Sequence, residues 1–161
     1  MARPAAQGLM PSILDRLADP DVAGDNLLQG FTPAQMMASI RRDLEDLFNT
    51  HATPAGIPAV YVEVRRSIVT FGMPDLPSIS AADAFRRGEV GRIIEEVIAQ
   101  HEPRLRDVRA RLNEPGPDDA PHRVRFQIEA RLNVDPSPEV AFETIVELTT
   151  GQASIRAGVA S

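Results

Sequence analysis

Residues 100–112 read QHEPRLRDVRARL, and the hydrophobic period changes inside them. Upstream, Val90, Ile93, Ile94, Val97 and Ile98 recur at three- and four-residue spacing, which predicts an amphipathic helix. Downstream, Val108, Ala110 and Leu112 alternate with Asp107, Arg109 and Arg111, which predicts a strand with one apolar face. The switch falls on Glu102-Pro103-Arg104. A residue before proline is pushed out of the α region, so the helix has to end near Glu102. Helices precede this corner and strands follow it, an α+β order. The corner also poses a chemical question, because it sets a carboxylate, a helix-breaking ring and a guanidinium in a row. An active site, an internal brace and a docking point would each use such a triplet. Glu102 would lie at the negative end of the helix dipole, and Arg104 is near enough in sequence to compensate it.

Towards the N-terminus, Ser80-Ala81-Ala82-Asp83 resembles a capping box that starts the same helix, with Asp in place of Glu. The glycines of GEVG (88–91) lie within its pattern and are expected to permit close packing. YVEVRRSIVTFG (61–72) fits two periods. Val60, Val62 and Val64 alternate as a strand would, whereas Val64, Ile68 and Phe71 recur as a helix would; Gly72 before Met73-Pro74 favours a short helix. TPAQMMASIRRDLEDLFNT (32–50) predicts a long helix with Thr32 as N-cap and Pro33 at the first helical position. Met36, Met37, Ile40, Leu44, Leu47 and Phe48 form its apolar stripe, and Arg41, Arg42, Asp43, Glu45 and Asp46 are expected on a solvated face. PSILDRLAD (11–19) predicts a short amphipathic turn or helix with Ser12 before Ile13, Leu14 and Leu17.

Towards the C-terminus, RVRFQIEARL (123–132) alternates strictly, with Val124, Phe126, Ile128, Ala130 and Leu132 inward. VAFETIVEL (140–148) sets Val140, Phe142, Val146 and Leu148 against Glu143 and Glu147. The expected architecture is N-terminal helices packed on a C-terminal antiparallel meander of three strands. The expected organisation is a flexible tail with a short helix over 1–30, one domain over 31–150 and a C-terminal tail over 151–161.

Composition narrows the functional classes. The 161 residues carry a net charge of −6, 43% hydrophobic residues and 4% aromatics. An acidic balance opposes binding to nucleic acid through phosphate contacts. Without cysteine there is neither a disulfide framework nor a thiolate metal site, which fits a reducing cytoplasm. No apolar run approaches the roughly 20 residues of a membrane helix, and no signal peptide is expected. All 17 basic residues are arginine. GC-rich coding explains that, and so does a protein that uses the planar guanidinium for ordered contacts.

Catalytic patterns are weak. A glycosidase needs two carboxylates about 5 to 9.5 Å apart across a cleft, and nothing in the spacing of Glu95, Glu96 and Glu102 selects a pair. His51, His101 and His122 accompany no nucleophile motif and match no metal spacing. On the outward strand faces, Arg109, Arg111, Arg123, Arg125 and Arg131 face Glu143 and Glu147. Cross-strand charge pairing accounts for these; so does a polar platform or an open sheet edge that receives another protein's strand.

Four segments in order carry a family resemblance: IRRDLEDLFNTHA (40–52), SIVTFGMPDL (67–76), HEPRLRDVRARL (101–112), and the strand pair containing RFQIEARL and VAFET. Together they span roughly 35–148 and resemble the TssE family, baseplate wedge subunits of bacterial type VI secretion systems. That family is similar to the contractile-phage wedge protein once labelled lysozyme-like. The resemblance implies a structural subunit without cofactor or small-molecule substrate, in a cytoplasmic baseplate beside TssF, TssG and TssK. It also implies a template for the TssB–TssC sheath, and a docking role for Glu102, Pro103 and Arg104. His51, His101, Phe48 and Phe71 depart from the family's usual residues, outside the Glu-Pro-Arg triplet. The competing expectations are a peptidoglycan-cleaving hydrolase and a regulatory adaptor that reuses the fold.

Overall fold

Thr32 is itself extended and starts the longer of the N-terminal helices. Its hydroxyl accepts the Gln35 backbone N–H at 3.3 Å, and the Gln35 side chain accepts the Thr32 N–H at 2.9 Å. This reciprocal pair satisfies two of the donors that a helix start leaves open, and Pro33 occupies a position where no N–H is needed. The computed structural model describes residues 11–18, 31–52, 57–74, 84–113, 123–147, 150 and 152–158. Its helices are α1 (Ile13–Ala18), α2 (Pro33–Asn49), α3 (Val62–Arg65) and α4 (Ala84–His101), with a 3-10 turn at Ile68–Thr70. Its strands are β1 (Leu105–Leu112), β2 (Arg123–Leu132), β3 (Glu139–Glu147) and β4 (Ala153–Ala157). Ser80–Asp83, read as a capping box, lies outside the described residues.

The strands form one antiparallel sheet in the order β1-β2-β3-β4. The meander therefore has four strands, not three. Residues 153–157, expected in a C-terminal tail, make the fourth. This strand is short, with Ala153 and Ile155 buried beside Arg156 in solvent, too brief an alternation to stand out in the sequence. Strand β2 buries every second residue over its central part, as its pattern predicts. Strand β1 departs from simple alternation because Asp107, at φ 54°, shifts the register between Arg106 and Arg109, and Leu105 and Val108 both turn inward.

Helix α4 packs on β1 and α2 on β4, so both helices cover the same sheet face. Ile40, Leu44, Ile98, Ile128 and Phe142 are wholly buried between the layers. Thr144 joins them, a core position that the polar residue type concealed. Of the two glycines expected to permit packing, Gly91 does so: a Cβ there would lie 3.3 Å from the Ala110 carbonyl oxygen. Gly88 faces open space.

Both outer strands are occupied along part of their length by side chains. On β4, the Asn49 amide donates to the Ala153 carbonyl and accepts from the Ala153 N–H, both at 2.9 Å. On β1, the Glu95 carboxylate accepts the Ala110 N–H at 2.8 Å. Helices α2 and α4 thus supply polar groups where a neighbouring strand would otherwise pair.

The 61–72 segment forms a short helix, as expected, but only four residues long and continued by the 3-10 turn. Its apolar spacing does not mark a core face: Val64 is 40% exposed and Ile68 85%. Gly72 lies at φ 122°, where a Cβ would come within 2.4 Å of the Thr50 carbonyl oxygen. Close approach is required there because Met73 exchanges backbone hydrogen bonds with Thr50 and Ala52 at 2.7 and 2.9 Å. Gly72→Ala is therefore expected to destabilise the fold by about 1–3 kcal/mol, read as a lower urea midpoint at unchanged slope. Asn49→Ala is expected to cost about 1–2 kcal/mol through two lost hydrogen bonds and to speed hydrogen exchange at Ala153.

Candidate functional site

The α4 helix closes with the Glu102 N–H donating to Ile98 O at 2.8 Å, and the Leu105 N–H then returns to Glu102 O at 3.1 Å. This tight turn aims the Glu102 side chain inward, where it is only 4% exposed. Arg104 folds back onto it. Nε donates to Oε1 at 2.6 Å, Nη2 to Oε2 at 2.5 Å, and the Arg104 backbone N–H to Oε1 at 3.2 Å. The fork geometry matches a carboxylate in two parallel bonds, and the guanidinium offsets a negative charge at the negative end of the helix.

The same guanidinium reaches α2. Nη1 donates to Ser39 Oγ at 2.9 Å and Nη2 to Asp43 Oδ2 at 2.6 Å. Burial opposes the charge on Arg104, but Glu102 and Asp43 outweigh it and hold the group above its ordinary value. Asn133, in the turn after β2, donates its N–H to Arg104 O at 2.7 Å and its side chain to Pro103 O at 3.3 Å. Helix α4, helix α2 and the sheet are thus joined at one corner. Asp43, expected on a solvated face, is part of this joint.

Ser39 extends the joint to α1. Its hydroxyl accepts from Arg104 and donates to Asp15 Oδ2 at 2.5 Å. Asp15 also accepts from Arg42, and from the Ser12 N–H and hydroxyl at 3.0 Å each. Burial alone would raise the Asp15 carboxyl, but the donors from Ser39, Arg42 and Ser12 prevail and hold it at about 2. Asp15 and Ser39 escaped the sequence reading. The Ser12/Asp15 spacing is a visible helix-start signal, but the Asp15–Ser39 contact spans 24 residues of chain.

The triplet therefore divides. Glu102 and Arg104 form the internal brace, whereas Pro103 is exposed beside a groove of about 840 Å³. Ile13, Leu14, Leu17, Leu47, Ile68 and Phe71 line that groove with Pro103. His101 holds one side of it: its Nε2 bonds Thr70 O at 3.0 Å and its ring meets Phe71 edge-on at 5.5 Å. Burial lowers the His101 pKa, with the Thr70 carbonyl opposing the shift. Among the described residues, the exposed large apolar side chains all fall within 13–17 or 60–69.

The other candidates are placed elsewhere. Glu95 caps β1, Glu96 is exposed on α4, and His122 lies outside the described residues. On the outer sheet face the arginines meet acids across strands: Arg111–Glu129 at 3.5 Å and Arg131–Glu139 at 2.5 Å, with Arg123 opposite Glu147 and Glu143 opposite Arg156 in register.

Two outcomes follow from this geometry. Arg104→Lys keeps the charge but not the fork, and is expected to cost about 2–4 kcal/mol in urea unfolding. Asp15 has a folded pKa of about 2 against an ordinary 3.8, so its contribution is complete above about pH 4 and is lost as pH falls through 2. Asp15→Asn is expected to lower stability at pH 7 by about 1–2 kcal/mol and to flatten the decline between pH 4 and 2, measured by denaturation at stepped pH.

Residues 34–137 match the family model of the baseplate wedge protein gp25. No curated protein and no solved structure matches the chain. The matched span runs from α2 to the turn before β3 and holds the whole Glu-Pro-Arg corner together with Ser39, Asp43 and Asn133. By that match, and with an α+β fold whose helix–strand junction carries the triplet, this chain belongs to the gp25 family of baseplate wedge proteins, which includes TssE.

Proposed function

We propose that this protein is a TssE-type structural subunit of a type VI secretion baseplate, working in the cytoplasm without enzymatic activity. It binds the wedge proteins TssF and TssG, alongside TssK, at the end of the molecule where Pro103 meets the groove. The observation that carries this reading is the coincidence of rigidity and exposed apolar surface. The Glu102–Arg104–Asp43 brace holds the corner, and the exposed aliphatics Ile13, Leu14, Leu17 and Ile68 line the groove beside it. A large exposed apolar patch beside a braced corner is the surface of a protein that docks.

The engagement of Glu102 argues against a hydrolase. Both of its oxygens bond Arg104, and Asp43 shares the same guanidinium. A carboxyl held in that way is poorly suited to donate a proton to a leaving sugar.

The sheet is the proposed contact for the TssB–TssC sheath. Adding a strand beside β4 requires the Asn49 amide to leave Ala153, since that residue's outward N–H and C=O are both taken. Template action at this edge would thus begin with displacement of a side chain from α2.

The test uses exposed positions so that folding is preserved. Pro103→Asp and Ile68→Asp are expected to leave thermal unfolding within a few degrees of the parent and to abolish co-purification with TssF and TssG. Normal recovery of both partners with either variant overturns the docking role. Release of reducing ends from peptidoglycan by the purified protein, lost in Glu102→Gln, would establish the hydrolase instead.

A further inference from the structure

The groove beside Pro103 carries more than apolar surface. Of the charged groups that line it, Asp43, Glu102 and Arg104 are bonded to one another. Arg16 and Asp46 are not. Among the described residues neither side chain has an ion pair or hydrogen bond, and the Arg16 Nε is buried without an acceptor. Among the described residues the groove therefore presents one unpaired cation, on α1, and one unpaired anion, on α2, beside an aliphatic lining.

Helix α1 has the matching incompleteness. Its six residues are too few to be stable alone. It is held to α2 by the Asp15 cluster, while Ile13, Leu14 and Leu17 remain more than half exposed. An element clamped by polar contacts with its aliphatic side chains uncovered is half of a helix–helix contact.

We infer that the groove receives an amphipathic helix of another baseplate protein, bearing an aliphatic stripe flanked by one carboxylate for Arg16 and one ammonium or guanidinium for Asp46. The inference rests on the scaffold reading and specifies the chemistry of its docking site. Because the cation and the anion stand on different helices, one order of charges along the incoming helix pairs both and the reversed order sets like charges together. The aliphatic lining accepts a stripe of Leu or Ile at helical spacing. The groove volume, about 840 Å³, lies within the range of formed binding clefts.

The probes are fluorescein-labelled amphipathic peptides with a leucine stripe and flanking Glu and Lys, one with the charges in each order, and a third with Gln at both flanks. Anisotropy is read against the full chain. One charge order is expected to bind tighter than the Gln peptide by about two- to five-fold per ion pair, and the reversed order weaker. Arg16→Gln is expected to remove the advantage of the Glu, Asp46→Asn that of the Lys, and Leu14→Asp all binding. Equal affinity for all three peptides, or a preference that survives both charge variants, overturns the inference. So does sedimentation showing a dimer of the chain that Leu14→Asp dissociates. If Pro103→Asp blocks co-purification with TssF and TssG but the peptides show no charge preference, the scaffold reading stands and this inference falls. If the peptides behave as expected but co-purification ignores groove substitutions, the proposed docking site falls instead.

Discussion

One guanidinium joins the parts of this molecule. Arg104 holds the end of α4 through Glu102, the middle of α2 through Asp43 and Ser39, and the turn after β2 through its own carbonyl and Asn133. Taking these charges out of water is costly, and such an arrangement persists when the pairing is nearly complete in hydrogen bonds. Arginine suits the place because its planar fork can engage two carboxylates and a hydroxyl at once, which a lysine ammonium cannot do with the same geometry. The cluster's excess of acid, with Asp15, Asp43 and Glu102 against Arg42 and Arg104, is met partly by Ser12, Ser39 and backbone N–H groups.

The brace shapes how α1 behaves. Helix α1 reaches the body through Asp15 and leaves its aliphatic residues in solvent, so its attachment depends on polar geometry more than on buried area. Segments with few buried apolar contacts open at the low end of a protein's local stability range. In a baseplate wedge protein that is a useful property if the groove docks a partner as proposed, since the element beside it can adjust while the corner stays rigid.

The sheet shows the opposite management of surface. Its outer face pairs arginine with glutamate across strands, and its edges are blunted by Glu95, by Asn49 and by the Asp107 bulge. Edge protection of this kind keeps a sheet from pairing with its own copies. The exposed aliphatics Ile13, Leu14, Leu17 and Ile68 instead line the groove beside Pro103.

The chain's periodicity by itself determined much of the architecture. It specified α2 with its Thr32 cap, the helix that stops before Pro103, the alternation of β2, and the α+β order, because backbone sterics and the apolar face of each segment are local properties. The chain order also brought Glu102 and Arg104 together, since only Pro103 separates them. Tertiary structure decided the rest. Asp43 meets Arg104 across 61 residues and Ser39 meets Asp15 across 24. Ile68 and Val64 have core spacing but no core to face, β4 becomes a strand because β3 and Asn49 receive its backbone, and Thr144 is buried because both neighbouring strands surround it. A periodic pattern reports which side of an element avoids water; which polar groups meet, and which apolar residues stay uncovered, depends on where the chain returns.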